Sequence, residues 1–128
     1  MRVRKSRGGS LIETVSAAIL LVPIALAILD VIVLVVANSM NDTAVKNAAR
    51  AAANQEDWQH AFDAAKVALG PARSSSIVKS ITIGMFDYPS DKSAVTCKTT
   101  MVVRLPVPFP GLDNITFEAQ DVEPIVVK

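Results

Sequence analysis

Residues 15–37 read VSAAILLVPIALAILDVIVLVVA, an apolar run broken only by Ser16, Pro23 and Asp30. As a helix rising ~1.5 Å per residue it extends roughly 34 Å. A hydrocarbon core is about 30 Å thick, so the run is long enough to cross it with some tilt. Its length and purity exceed what the core of a small soluble domain needs. They also exceed the apolar stretch of an ordinary cleavable secretory signal, although Ala37-Asn38-Ser39 has the small-x-small form of a cleavage site. The run is therefore expected to be a retained single-pass anchor.

The flanks of this run orient it. Arg2, Arg4, Lys5 and Arg7 precede it with no acid before Glu13, whereas Asn41 and Asp42 follow it. The positive-inside rule then places the N-terminus in the cytoplasm and the residues after 40 outside. The junction between leader and anchor reads RGGSLIET over residues 7–14. Two small glycines are expected to give a peptidase an unstructured substrate. Glu13 stands at the mouth of the apolar helix, where the macrodipole favours a carboxylate by about 0.3–1 kcal/mol.

This junction resembles the class III signal of type IV prepilins. There, prepilin peptidase cuts after a glycine, the apolar helix stays on the mature subunit, and a glutamate occupies mature position five. The resemblance implies cleavage between Gly8 and Gly9. It also implies a role for Glu13 in assembly, where it meets the new α-amine of a neighbouring subunit. Along residues 7–53 the chain is more narrowly similar to the TadE/TadF family of minor pseudopilins of tight-adherence (Tad) pili. Gly8, Ile12, Glu13, Asp30 and Ala48-Ala49-Arg50-Ala51-Ala52 match that pattern. Thr14 departs from it, standing where an aromatic is common. The family implies a membrane-anchored structural subunit whose partners are the peptidase, other pilin or pseudopilin subunits and the assembly platform. Its setting would be the bacterial inner membrane and, after assembly, a surface pilus.

Two residues inside the anchor stand out. A central Asp costs about 2.5–3.5 kcal/mol on insertion scales, so Asp30 is expected to be hydrogen-bonded against another subunit or the platform. Pro23 removes a backbone hydrogen bond and is expected to kink the helix.

Beyond the anchor the expectation is an α+β, pilin-like domain. Its parts are a leader (1–8), a transmembrane and assembly helix (9–40), an extracytoplasmic helical region (41–70) and a β-rich region (71–128). Residues 41–53 continue the helix with Ala and Val on one face. Asn54-x-x-Asp57 reads as an N-cap start for a second helix, in which Trp58, Ala61, Phe62, Ala65 and Leu69 share an apolar face, with Trp58 and Phe62 read as core. His60 falls off that face. Gly70-Pro71 stops the helix. Ile77, Lys79, Ile81, Ile83 and Met85 form one side of a first strand, and Tyr88-Pro89-Ser90-Asp91 turns the chain. Val95, Cys97, Thr99, Met101, Val103 and Leu105 alternate in a second strand, with Cys97 a buried apolar residue. Pro106, Pro108 and Pro110 make an extended, non-pairing stretch. Ile115 to Val127 supplies a last strand, interrupted by Pro124. The product is one or two helices on a three-stranded, mostly antiparallel sheet.

Composition limits the chemistry. The chain is 51% hydrophobic and 20% charged, with a net charge of +1, one cysteine and one histidine. An intramolecular disulfide and any site needing two histidines within one chain are excluded. HExxH, GxSxG, CxxC and a phosphate-binding glycine loop are absent from the sequence. Glu56/Asp57, Asp87/Asp91 and Asp121/Glu123 have no organising partner and read as surface acids. Catalytic, cofactor, metal and nucleic-acid roles, and a small-molecule substrate, are therefore not expected.

Overall fold

The computed structural model describes residues 7–127; Arg2, Arg4 and Lys5 lie outside them. The element order is α1 (Arg7–Ala53), α2 (Trp58–Ala68), α3 (Gly70–Arg73), β1 (Val78–Asp87), β2 (Ala94–Phe109) and β3 (Leu112–Pro124). The three strands form one antiparallel sheet in the order β1-β2-β3. This is an α+β layout.

α1 runs unbroken for 47 residues, about 70 Å at the usual rise, and passes through Pro23 without interruption. Its two halves differ in what surrounds them. From Gly8 to Ala25 every side chain is exposed. Near its far end Ala37, Asn41, Ala44, Val45, Ala48, Ala49, Ala52 and Ala53 are buried. These positions recur every three or four residues, so one stripe of the helix packs against β2, β3 and α2. The alanines on that stripe let backbones approach closely, and Ala61 and Ala65 answer them from α2.

α2 begins at an N-cap. Asp57 is extended (φ −140°, ψ 168°) and its Oδ1 accepts from the His60 amide at 2.9 Å. The alanine-on-alanine contact leaves no room for large rings. Trp58 is accordingly 45% exposed rather than core. It stacks on Phe62 at 5.0 Å between ring centroids, and Phe86 closes edge-on to both at the rim. Gly70-Pro71 ends α2 but does not end helical structure. Proline is tolerated in a first turn, and the chain makes the short α3 before entering the sheet.

β1 departs from simple alternation. Its pairing with β2 shifts between Val78 and Ser80 and again between Ile83 and Met85. Each bulge exchanges the two faces of the strand, so Val78 and Ile81 are buried while Met85 is 45% exposed. Gly84 lies in the second bulge, where a Cβ would come within 3.1 Å of Thr100 Oγ1. β2 keeps strict alternation, and Val95, Cys97, Thr99, Met101, Val103 and Leu105 all point into the core. β2 and β3 are in register from Ala94↔Pro124 to Arg104↔Asn114, then only at Phe109↔Leu112. The intervening proline segment is extended and unpaired with β3. The chain end is tied back by Val126 N–H to Ala53 C=O at 3.1 Å. Tyr88 O–H donates to Gln55 C=O at 2.7 Å, joining the β1–β2 turn to the α1–α2 loop.

Candidate functional site

The feature with functional content is α1 and what holds it to the sheet. Gly8 and Gly9 lie inside α1 and are helical, not the unstructured junction expected from the sequence. Thr14 Oγ1 donates to Ser10 C=O at 2.9 Å, which supplies a local partner in this first stretch. Glu13 is exposed nearly two turns into α1, with no ion-pair partner among the described residues. Around it and beyond it stand bare apolar side chains, among them Leu11 (66% exposed), Ile19 (68%) and Leu20 (67%). Among the described residues, this helix alone is long and apolar enough to cross a membrane.

Asp30 is placed differently from expectation. It is 4% exposed, so it does not face outward toward a neighbouring subunit. Its Oδ1 accepts from the backbone N–H of Val107 at 3.0 Å, in the proline segment of β2. Pro106 and Pro108 flank that residue and have no amide hydrogens, so Val107 carries the lone donor between them. Oδ2 of Asp30 is buried without a hydrogen-bond partner. Pro23 remains exposed within the uninterrupted helix.

A second clamp lies 11 residues further, three turns along the same face and about 16 Å away. Asn41 is 0% exposed. Its Oδ1 accepts from Thr99 Oγ1 at 2.7 Å, and its Nδ2 donates to Phe117 C=O at 3.4 Å. One amide thus joins α1 to both β2 and β3. The sequence reading did not single out this pair. The signal was present, because Asn41 interrupts an apolar helical stripe and Thr99 an apolar strand face. Two buried polar groups on different elements require partners. Arg50 and Glu123 form an exposed ion pair at 3.2 Å near the end of α1.

The remaining ionisable groups have structural surroundings. Asp57 Oδ2 lies 2.6 Å from His60 Nδ1 on the surface. The hydrogen-bonded Asp57 side chain raises the His60 pKa above its usual 6.5. The His60 backbone amide, and then its ring, lower Asp57 below 3.8. Cys97 is free and 0% exposed, and burial, with the Asp121 charge second, pushes its thiol up to about 11. Among the described residues, no group of three or more His, Cys, Asp or Glu is placed to hold a metal. An open groove between α1 and the α2–α3 segment is lined by Ser39, Met40, Thr43, Ala44 and Asn47 on one side and by Ala68, Pro71 and Ala72 on the other.

Comparison of the chain with protein-family models, with curated proteins and with solved structures found no match in any of the three.

Proposed function

We propose that this chain is a membrane-anchored, pilin-like structural subunit of a Tad or type IV-like pilus. Prepilin peptidase removes residues 1–8. The subunit waits in the bacterial inner membrane with its sheet domain outside, then packs by α1 into a pilus or its initiating complex with other subunits and the assembly platform. Its role is structural, without catalysis. One observation carries this reading: a single helix has an apolar, bare first half and, toward its far end, one stripe buried against its own domain. The basic–Gly-Gly–Glu junction stands at the bare end. A rod of this kind leaves about 30 Å of apolar helix to be covered by lipid before assembly and by neighbouring helices after it.

The test is co-expression with an active prepilin peptidase, followed by intact mass and N-terminal sequencing. A mature chain starting at Gly9 supports the proposal, and Gly8→Arg should then abolish the cut. Glu13→Ala should still insert and be cut but fail to enter filaments. An intact chain, with the peptidase active on a control substrate, overturns it.

A second reading is an uncleaved single-pass protein whose outer domain binds a partner. The helical state of Gly8 and Gly9 favours it, because a peptidase must first unwind a helical junction. It requires residues 1–8 to persist and Gly8→Arg to change neither size nor location.

A further inference from the structure

We propose that the β2–β3 hairpin tip, residues 105–112, is a second membrane contact, entering the acyl region beside α1 in the leaflet nearest the sheet. The inference rests on the reading of α1 as a membrane span.

The position of the tip comes from a hydrogen bond. Val107 N–H lies 3.0 Å from Asp30 Oδ1, so the tip is level with Asp30. The apolar run continues from Asp30 to Ala37, about 10 Å further along the helix. A bilayer that covers this run therefore reaches the tip as well. The helix face itself requires that coverage. Val31, Ile32, Val35 and Val36, at or above the level of Asp30, are 58%, 53%, 65% and 47% exposed. If the hydrocarbon stopped at Asp30, all four would stand in water.

The chemistry of the tip suits acyl chains. Residues 105–112 read LPVPFPGL, with no charged or polar side chain, and are bounded by Arg104 and Asp113, both exposed. Lipid penalises unpaired backbone donors. Three prolines delete three donors here, and Asp30 engages the one at Val107. Pro110 followed by Gly111 at φ 83° closes the chain in the pattern of a type II turn, with Phe109 and Leu112 as the flanking pair. Leu112 is 52% exposed at the end of this turn. Asp30 thus has a role within the chain: it holds a hairpin against the helix at membrane depth.

The experiment uses the full chain reconstituted in phosphatidylethanolamine/phosphatidylglycerol vesicles containing lipid spin-labelled near the top of the acyl chain. An environment-sensitive fluorophore is attached to Leu112→Cys, Ile28→Cys or Gln120→Cys, one at a time. Cys97 can stay, because it is fully buried, and the unsubstituted chain is the labelling blank. All three positions are exposed, so the labels do not displace core side chains. Ile28 reports the span. Gln120 lies eight residues up β3, about 27 Å from Leu112. The expected result is that Leu112 is quenched to within about two-fold of Ile28 while Gln120 is not, as both sites then lie in the acyl region. Quenching at Ile28 with Leu112 behaving like Gln120 overturns the inference and leaves the span intact. Loss of quenching at Ile28 as well overturns the membrane span on which it rests.

Discussion

Replacing Asp30 with Ala removes the acceptor that serves Val107 N–H at 3.0 Å. No alternative acceptor is supplied by the substitution, and the donor stays half-buried. A buried donor left without a partner costs about 1–3 kcal/mol. At ~1.4 kcal/mol per factor of ten, local opening at Val107 should become about 5- to 150-fold more frequent. Amide exchange of the full chain in micelles, resolved by NMR, measures this at a single residue. Val107 should exchange faster by that factor in Asp30→Ala, whereas Met101 and Val103, deep in β2, should change little. Asp30→Asn keeps an oxygen in the same place and should retain most of the protection. The contrast separates hydrogen bonding from bulk, since Asn and Asp have nearly the same volume. Unchanged Val107 exchange in Asp30→Ala would refute the clamp and the placement of the tip that depends on it.

Three further outcomes are expected. Asn41→Ala leaves Thr99 Oγ1 and Phe117 C=O without their partner and should destabilise the helix–sheet contact by about 1–3 kcal/mol in denaturant titration; a loss under ~0.5 kcal/mol, the range of neutral surface changes, would deny the clamp. Cys97 should resist thiol reagents at pH 8 in the folded chain, since it is fully buried and its thiol is pushed up to about 11, leaving roughly 100-fold less thiolate than at the ordinary value; labelling in the native state as fast as in denaturant would contradict the burial. The His60 ring should titrate above 6.5, and Asp57→Asn should return it toward that value, as followed by NMR. The sign of the associated stability follows. The His60 contribution is present below 6.5 and lost as pH rises through the raised folded value. The Asp57 contribution is present above 3.8 and lost as pH falls through its lowered one. The α2 cap should thus be firmest between those ordinary values, and a His60 midpoint at or below 6.5 would show that the pair does not form.

Much of the fold was legible wherever a periodicity ran undisturbed. The apolar run of residues 15–37 and the Ala/Val stripe after residue 41 specify one long helix, the stripe giving its buried face, and the alternation from Val95 to Leu105 specifies one strand and its buried face. The structure has those elements with those faces. Prediction slipped where one residue changes a phase. The bulges in β1 reversed its faces after Val78 and again near Gly84, because a strand has a period of two. Nothing local in Ile77–Phe86 marks both bulges, since their register is decided by pairing with β2. Trp58 fitted the helical face by spacing, but the alanine contact between α1 and α2 excluded it from the interior. Glycine's own freedom predicts an unstructured Gly8-Gly9 junction, whereas the structure continues α1 through it.

By itself, then, the sequence determined a long apolar helix, its charged flank, its alanine-rich continuation and a three-stranded β-rich end. These follow from hydropathy and side-chain period, which act over a few neighbouring residues. Tertiary structure alone decided the partners of Asp30 and Asn41. An acid within an apolar helix announces that it needs a hydrogen bond, but the donor at Val107 is 77 positions away along the chain. Asn41 meets Phe117 across 76 positions. The need is local and electrostatic; the partner is set by the register of β2 and β3 on α1, which exists only once the apolar faces have packed.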